Sequence, residues 1–363
     1  MKCGVFFMQT AMAAGYLRDY GLATLPHCHP ARAQQQRFGG RQPASHGGPT
    51  SPDCESVTLA PRAKRRLRRL RAMLWRRFAQ PAIPLAFLHV PKSAGTAFTY
   101  AIEAALLPGR MVTGFDRSTF GDFTAFGTMP RRTRRLIHLS PADIPTNTDF
   151  LSGHFARSTV QAALPSARQF MLLREPSARV LSQWAYWRAL PETKQREWGD
   201  WSQRIRLAHQ NLARFLAEPG IACQTDNAYV RALLWPHSLI PDADFIPAQA
   251  DARLIDAALD ALSHLSFAGI LEDPGLRVGL ERFLGRKLTI PALNVTRLMP
   301  DGMQTPMQAE LTPEALHLVD ARSRLDRRLW QSLAERLMPP HAVRTLEFTT
   351  FEKIQARYSE LMH

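Results

Sequence analysis

Apolar residues fall in short dense runs, separated by small-residue turns and by stretches of helical spacing. Leu85-Ala86-Phe87-Leu88-His89-Val90 is almost continuously apolar and stops at Pro91, the pattern of a strand covered on both faces. A parallel central sheet follows, because strands with two buried faces belong to sheets flanked by helices. Thr96 to Leu107 then has the spacing of a helix and closes at Pro108-Gly109, where helices stop. Phe150 to Phe155 and Gln169 to Arg174 read as further buried strands, each followed by a helical segment. Pro176 stands in the first turn of its helix, where a missing N–H is harmless. Leu265 to Leu271 predicts a fourth strand, with a helix over Pro274 to Leu284. Strands alternating with helices predict an α/β class, three layers around a central parallel sheet.

Two stretches break the alternation. Leu190 to Pro236 is helical and Trp-containing and is expected to be an insertion on the acceptor side; Leu311 to Met338 predicts a long packing helix rich in Leu, Arg and Glu. Residues 22–61 are rich in Pro, Gly, Gln, Ser and His with little periodic apolar content, so residues 1–61 read as a disordered extension. In residues 62–80, Leu67, Leu70, Leu74 and Phe78 recur at helical spacing, which predicts a basic amphipathic helix. The main domain is expected over 83–345, with a C-terminal tail over 346–363.

Charge changes the picture more than composition does. The hydrophobic share of 45% is ordinary, but a formal net charge of +15 predicts attraction to anions: nucleotides, acidic glycans, nucleic acid or an acidic membrane. Part of the excess is local, since Arg62, Lys64, Arg65, Arg66, Arg68, Arg69, Arg71, Arg76 and Arg77 have no acid among them. Cys3, Cys28, Cys54 and Cys223 are scattered, so neither a disulfide framework nor a zinc spacing is visible and no metal is expected. No apolar run reaches the length of a spanning helix. With a poor signal-peptide core over Val5 to Leu17, the expected location is cytoplasmic, with peripheral attachment to an anionic surface through the basic run.

The turn after the first strand carries the first specific chemistry. In Pro91-Lys92-Ser93-Ala94-Gly95-Thr96, small residues let the backbone wrap an anion while the next helix presents its unpaired N–H groups. Lys92 adds a point charge, and Ser93 and Thr96 add hydroxyls; Ala94, Gly95 and Ala97 complete the expected contact set. The lysine precedes Gly95, so this is not the nucleoside-triphosphatase loop, whose lysine follows the glycines. At the end of the third strand, Arg174 is followed by a helix carrying Arg179, Ser182 and Gln183. Arg174 and Ser182 are expected to meet a second phosphate at the same sheet edge. Two phosphate sites predict a bisphosphorylated nucleotide.

Phe87-Leu88-His89-Val90-Pro91-Lys92-Ser93-Ala94-Gly95-Thr96 resembles the 5′-phosphosulfate loop of the carbohydrate sulfotransferase family that includes heparan sulfate 2-O-sulfotransferase and its bacterial relatives. Leu173-Arg174-Glu175-Pro176-Ser177-Ala178-Arg179-Val180-Leu181-Ser182-Gln183-Trp184 is similar to the family's 3′-phosphate motif. Weaker likeness runs through Ser152-Gly153-His154-Phe155, Asp226 to Arg231, Phe267 to Glu272 and Asn294-Val295-Thr296. The resemblance implies a P-loop-NTPase-like three-layer fold and 3′-phosphoadenosine 5′-phosphosulfate (PAPS) as sulfuryl donor. It also implies a hydroxylated, glycan-like acceptor and nucleotide contacts from a loop containing Asn294 and Thr296. His154 takes the family's general-base role, suited to an imidazole near neutral pH, and Lys92 would stabilise the leaving group.

His89 is expected to support the loop, Arg179 and Arg188 to be solvated or paired, Arg231 to line the acceptor side, and Trp184 and Trp187 to be core. Two other readings stand beside this one. A small-molecule kinase would need magnesium ligands and a lysine after the glycine. A polymer- or membrane-binding protein would act through Arg62 to Arg77; no specific nucleic acid is expected.

Overall fold

The computed structural model describes residues 83–121, 123–291 and 307–360. The extension at 1–61, the basic helix at 62–80 and the loop with Asn294, Val295 and Thr296 lie outside the described residues.

Six strands form one sheet: β1 Leu85–Leu88, β2 Met111–Asp116, β3 Ile137–His138, β4 Phe150–His154, β5 Arg168–Leu173 and β6 Phe267–Ile270, in the order β3-β2-β4-β1-β5-β6. Every pairing is parallel. Parallel neighbours need crossover connections. Among the helices on these connections are α1 (Gly95–Leu106), α2 (Arg157–Ala163), α3 (Pro176–Arg188), α4 (Ala228–Leu234) and α5 (Asp251–Ser263), followed after β6 by α6 (Leu276–Leu284), α7 (Pro313–Leu337) and α8 (Pro340–Glu360).

Alternate strand residues feed two separate cores, which is why the strands read as unbroken apolar runs. Leu85, Phe87, Phe150, Phe170 and Leu172 pack with Phe98 and Ile102 of α1 and with Leu276 and Leu280 of α6. Ala86, Leu88, Leu151, Met171 and Leu173 belong to the opposite core with Val160 of α2, Val230 of α4, Leu254 of α5 and Leu325, Leu329 and Trp330 of α7. Each such side chain, removed from water, contributes about 1.5–3 kcal/mol. The result is a three-layer α/β arrangement with an all-parallel sheet.

The sheet has two strands more than the sequence pattern shows. β2 reads Met-Val-Thr-Gly-Phe-Asp, with Met111 and Thr113 only partly buried, so its apolar content is diluted. Gly114 is required there, because the Leu136 carbonyl oxygen lies 2.0 Å from where a Cβ would stand. β3 is two residues long, too short for any period to register.

Residues 190–236 form short helical turns, and Trp201, Ile205, Leu212 and Phe215 from them pack on Val180, Leu181, Trp184 and Trp187 of α3 in a third core. α7 begins where expected, its Thr312 side chain accepting from Ala315 N–H with Pro313 next. The division expected at residue 345 falls inside α8, which packs against α3 and α7. Residues 346–360 therefore continue a helix rather than starting a tail.

This order singles out one end of the sheet. From β1 the chain crosses over to β2, beyond β4, and after β4 it crosses to β5 on the other side of β1. The carboxyl end of β1 is thus a point where connections diverge, the place at which open parallel sheets bind ligands.

Candidate functional site

The turn after β1 is held in an unusual shape by two left-handed residues, Lys92 at φ 69° and Ala94 at φ 53°. A non-glycine residue in that region is strained, and alternation of this kind points successive backbone N–H groups inward, as in anion-binding nests. Among the described residues, no acceptor takes the N–H of Ala94, Gly95 or Thr96. Ala97 does not add a fourth, since its N–H donates to the Ala94 carbonyl at 3.1 Å. Gly95 is dictated by contact: a Cβ there would lie 1.9 Å from the His89 imidazole. His89 packs under the turn, its ring centroid 5.5 Å from that of Phe87 and 4.5 Å from that of His154. It takes the supporting position expected of it.

Lys92 Nζ sits 4.0 Å from the centroid of the Tyr186 ring on α3, a cation–π contact. Burial, and then the nearby Arg174 charge, lower its pKa to about 7. Arg174, just past β5, donates from Nη1 to the Lys92 carbonyl at 3.2 Å, so the two expected anion sites meet physically. The next residue, Glu175, caps α3: its carboxylate accepts from Ser177 N–H at 3.0 Å and Ala178 N–H at 2.6 Å. An anion beside Arg174 must therefore use the guanidinium, because the helix N-terminus is already occupied by a carboxylate. Ser182 is half-buried on α3, and no contact ties it to Arg174 among the described residues.

Two expectations change. Ser93 is 1% exposed, and its hydroxyl lies 2.6 Å from the Tyr229 hydroxyl, so it faces inward instead of toward an anion. Arg231 is buried; it pairs with Asp226 at 3.0 Å and donates to the carbonyls of Pro241 and Asp244. It braces the interior and does not line an acceptor surface. Arg179 donates to the carbonyls of Gln224 and Thr225, and Arg188 to those of Ala208 and Gln210. Trp184 and Trp187 are buried.

His154 ends β4 and is hydrogen-bonded through Nδ1 to the His89 carbonyl at 2.5 Å. A carbonyl can only accept, so Nδ1 carries the proton and Nε2 keeps its lone pair. Burial, opposed by the His89 bond and aided by the Lys92 charge, lowers the His154 pKa to about 4. The ring is neutral at ordinary pH. Phe115 stands 5.0 Å from it, centroid to centroid, and Trp198 of the insertion meets Phe115 edge-on at 5.3 Å. The insertion thus packs an aromatic side chain on the ring that flanks the histidine.

Tyr229, Phe115 and Trp198 carry no role in the sequence reading. A phenol on a helix face looks like core until its hydroxyl is seen to have partners. Among the described residues no cluster of His, Cys, Asp and Glu is arranged to hold a metal ion, and no helix is long and apolar enough to cross a membrane. The chain matches no protein-family model and no curated protein sequence.

Proposed function

We propose that the chain is a sulfotransferase that moves a sulfuryl group from PAPS to a hydroxyl of a carbohydrate or glycoconjugate acceptor. The observation that carries this reading is one sheet edge holding three groups together: a turn with free N–H groups and Lys92, the Arg174 guanidinium, and His154 with Nε2 unprotonated. The turn suits the 5′-phosphosulfate end of the donor and Arg174 the 3′-phosphate.

The step is an in-line displacement at sulfur. His154 Nε2 takes the proton of the acceptor hydroxyl as that oxygen bonds to sulfur. The bond from sulfur to the bridging phosphate oxygen breaks, and its electron pair leaves with adenosine 3′,5′-bisphosphate. Lys92 and the N–H groups of Ala94, Gly95 and Thr96 stabilise the charge that develops on the leaving phosphate. An imidazole with a pKa near 4 is always ready to accept a proton but is a weak base; negative charge arriving at Lys92 raises its basicity.

Isothermal titration of adenosine 3′,5′-bisphosphate, with and without magnesium, tests the donor site. Binding without magnesium is expected, weakened about 100-fold by Lys92→Ala or Arg174→Ala, the scale of one lost charge-assisted contact. His154→Ala should keep the nucleotide affinity and lose transfer of labelled sulfate from PAPS to a glycan panel. A folded wild-type protein that does not bind the bisphosphate would overturn the reading.

A further inference from the structure

We propose that the buried hydroxyl pair Ser93–Tyr229 is a strut that sets the spacing between the two anion half-sites, with Tyr229 as a positioning residue. The inference rests on the donor-site reading above and adds a part to that site.

Tyr229 is fully buried, yet its hydroxyl has three polar neighbours: Ser93 Oγ at 2.6 Å, the Arg174 N–H, which donates to it at 2.7 Å, and the Arg174 carbonyl at 3.2 Å. One oxygen thus touches both the turn after β1 and the end of β5. These two segments carry the cations assigned to the two ends of the donor. A phenol that only filled core space would need one partner, and no contact to both half-sites.

The strut is fixed at its base. α4 starts at Asn227, in the left-handed region at φ 47°. Asp326 of α7, 1% exposed, accepts from Tyr229 N–H at 3.1 Å and from Val230 N–H at 3.0 Å. The Asn227 side-chain oxygen accepts from Leu325 N–H at 2.8 Å. Two polar anchors therefore hold the first turn of α4 against α7, so the phenol projects from a rigid base. A preorganised spacing favours a ligand that bridges both half-sites over one that fills either alone.

The test compares adenosine 3′,5′-bisphosphate, adenosine 5′-monophosphate and adenosine 3′-monophosphate as titrants of wild type, Tyr229→Phe, Ser93→Ala and the double variant, with thermal melting alongside. Either single variant is expected to weaken the bisphosphate about tenfold and each monophosphate about twofold or less, the scale of one lost buried hydrogen bond. The double variant should be no worse than either single one, since both remove the same strut. If Tyr229→Phe does not fold, the Ser93→Ala pattern decides. Equal losses for all three ligands, losses that multiply in the double variant, or unchanged affinities overturn the strut while leaving the donor site standing. Absence of bisphosphate binding to folded wild type removes the donor reading and the strut with it.

Discussion

Two sets of cations near the centre of the fold differ sharply. Arg179, Arg188 and Arg231 are enclosed and turn their guanidinium groups to backbone carbonyls, with Asp226 added for Arg231. Lys92 and Arg174 stand at the sheet edge: Lys92 rests on an aromatic face, and Arg174 makes a single side-chain hydrogen bond among the described residues, to the Lys92 carbonyl. Both groups are rich in charge and share sequence neighbourhoods; Arg174 and Arg179 are separated by less than two helical turns. What separates them is where the charged group ends up after folding: enclosed among carbonyls, or at the carboxyl edge of the sheet. A guanidinium enclosed among backbone carbonyls is structural, and one at the sheet edge with a single such bond can hold a ligand.

The largest expected effect breaks the comparison from the interior side. Arg179→Met should cost about 3–5 kcal/mol in urea unfolding, the scale for removing one partner from a buried charged network, because the carbonyls of Gln224 and Thr225 and the nearby Asp326 lose their cation. Nucleotide affinity of the folded fraction should hardly move. A large affinity loss with little change in stability would place Arg179 with the site.

The next sharpens the site side through pH. Lys92 has a folded pKa near 7 against the ordinary lysine value of 10.5, so above 7 the free protein loses the charge that a bound anion would need. Bisphosphate affinity should fall by about tenfold per pH unit above 7, where one proton must be taken up on binding. The unfolded chain holds that proton up to the ordinary lysine range, so the Lys92 contribution to stability rises with pH across the same window. Affinity and stability should therefore move in opposite directions, and Lys92→Arg should flatten both trends. An affinity independent of pH in the native protein would remove Lys92 from the anion site. The smallest effect belongs to a pair of neither kind: Arg196 and Glu192 are both about 70% exposed, and Arg196→Ala should leave melting temperature and affinity unchanged.

Legibility in the sequence followed the same division. β1 and β6 and the Phe170–Leu173 run of β5 are readable because burial on two faces makes them apolar, and β4 through Phe150 and Leu151 at its start, while β2 carries Thr113, Gly114 and Asp116 and hides. Lys92, Gly95, His154 and Arg174 stand out because they follow strands at one edge, and parallel strands end together. The inward turn of Ser93 and the part played by Tyr229 were not readable, since the two residues are 136 positions apart and only the tertiary fold joins them. Arg231 looked available for the same reason: Asp226 is near it in sequence, but Pro241 and Asp244 arrive through a loop that no local pattern announces.

The anchoring of α4 by Asp326 also orders events during synthesis. Tyr229 N–H finds its carboxylate 97 residues further along the chain, long after the ribosome has released β1, β5 and the turn between β1 and α1. A nascent chain that has just completed β6 already contains Lys92, Arg174 and Tyr229, but not the helix that fixes the phenol between them. Closure of such a distant contact is a late event in folding, so the candidate site at this edge matures with α7 rather than with the sheet that displays it.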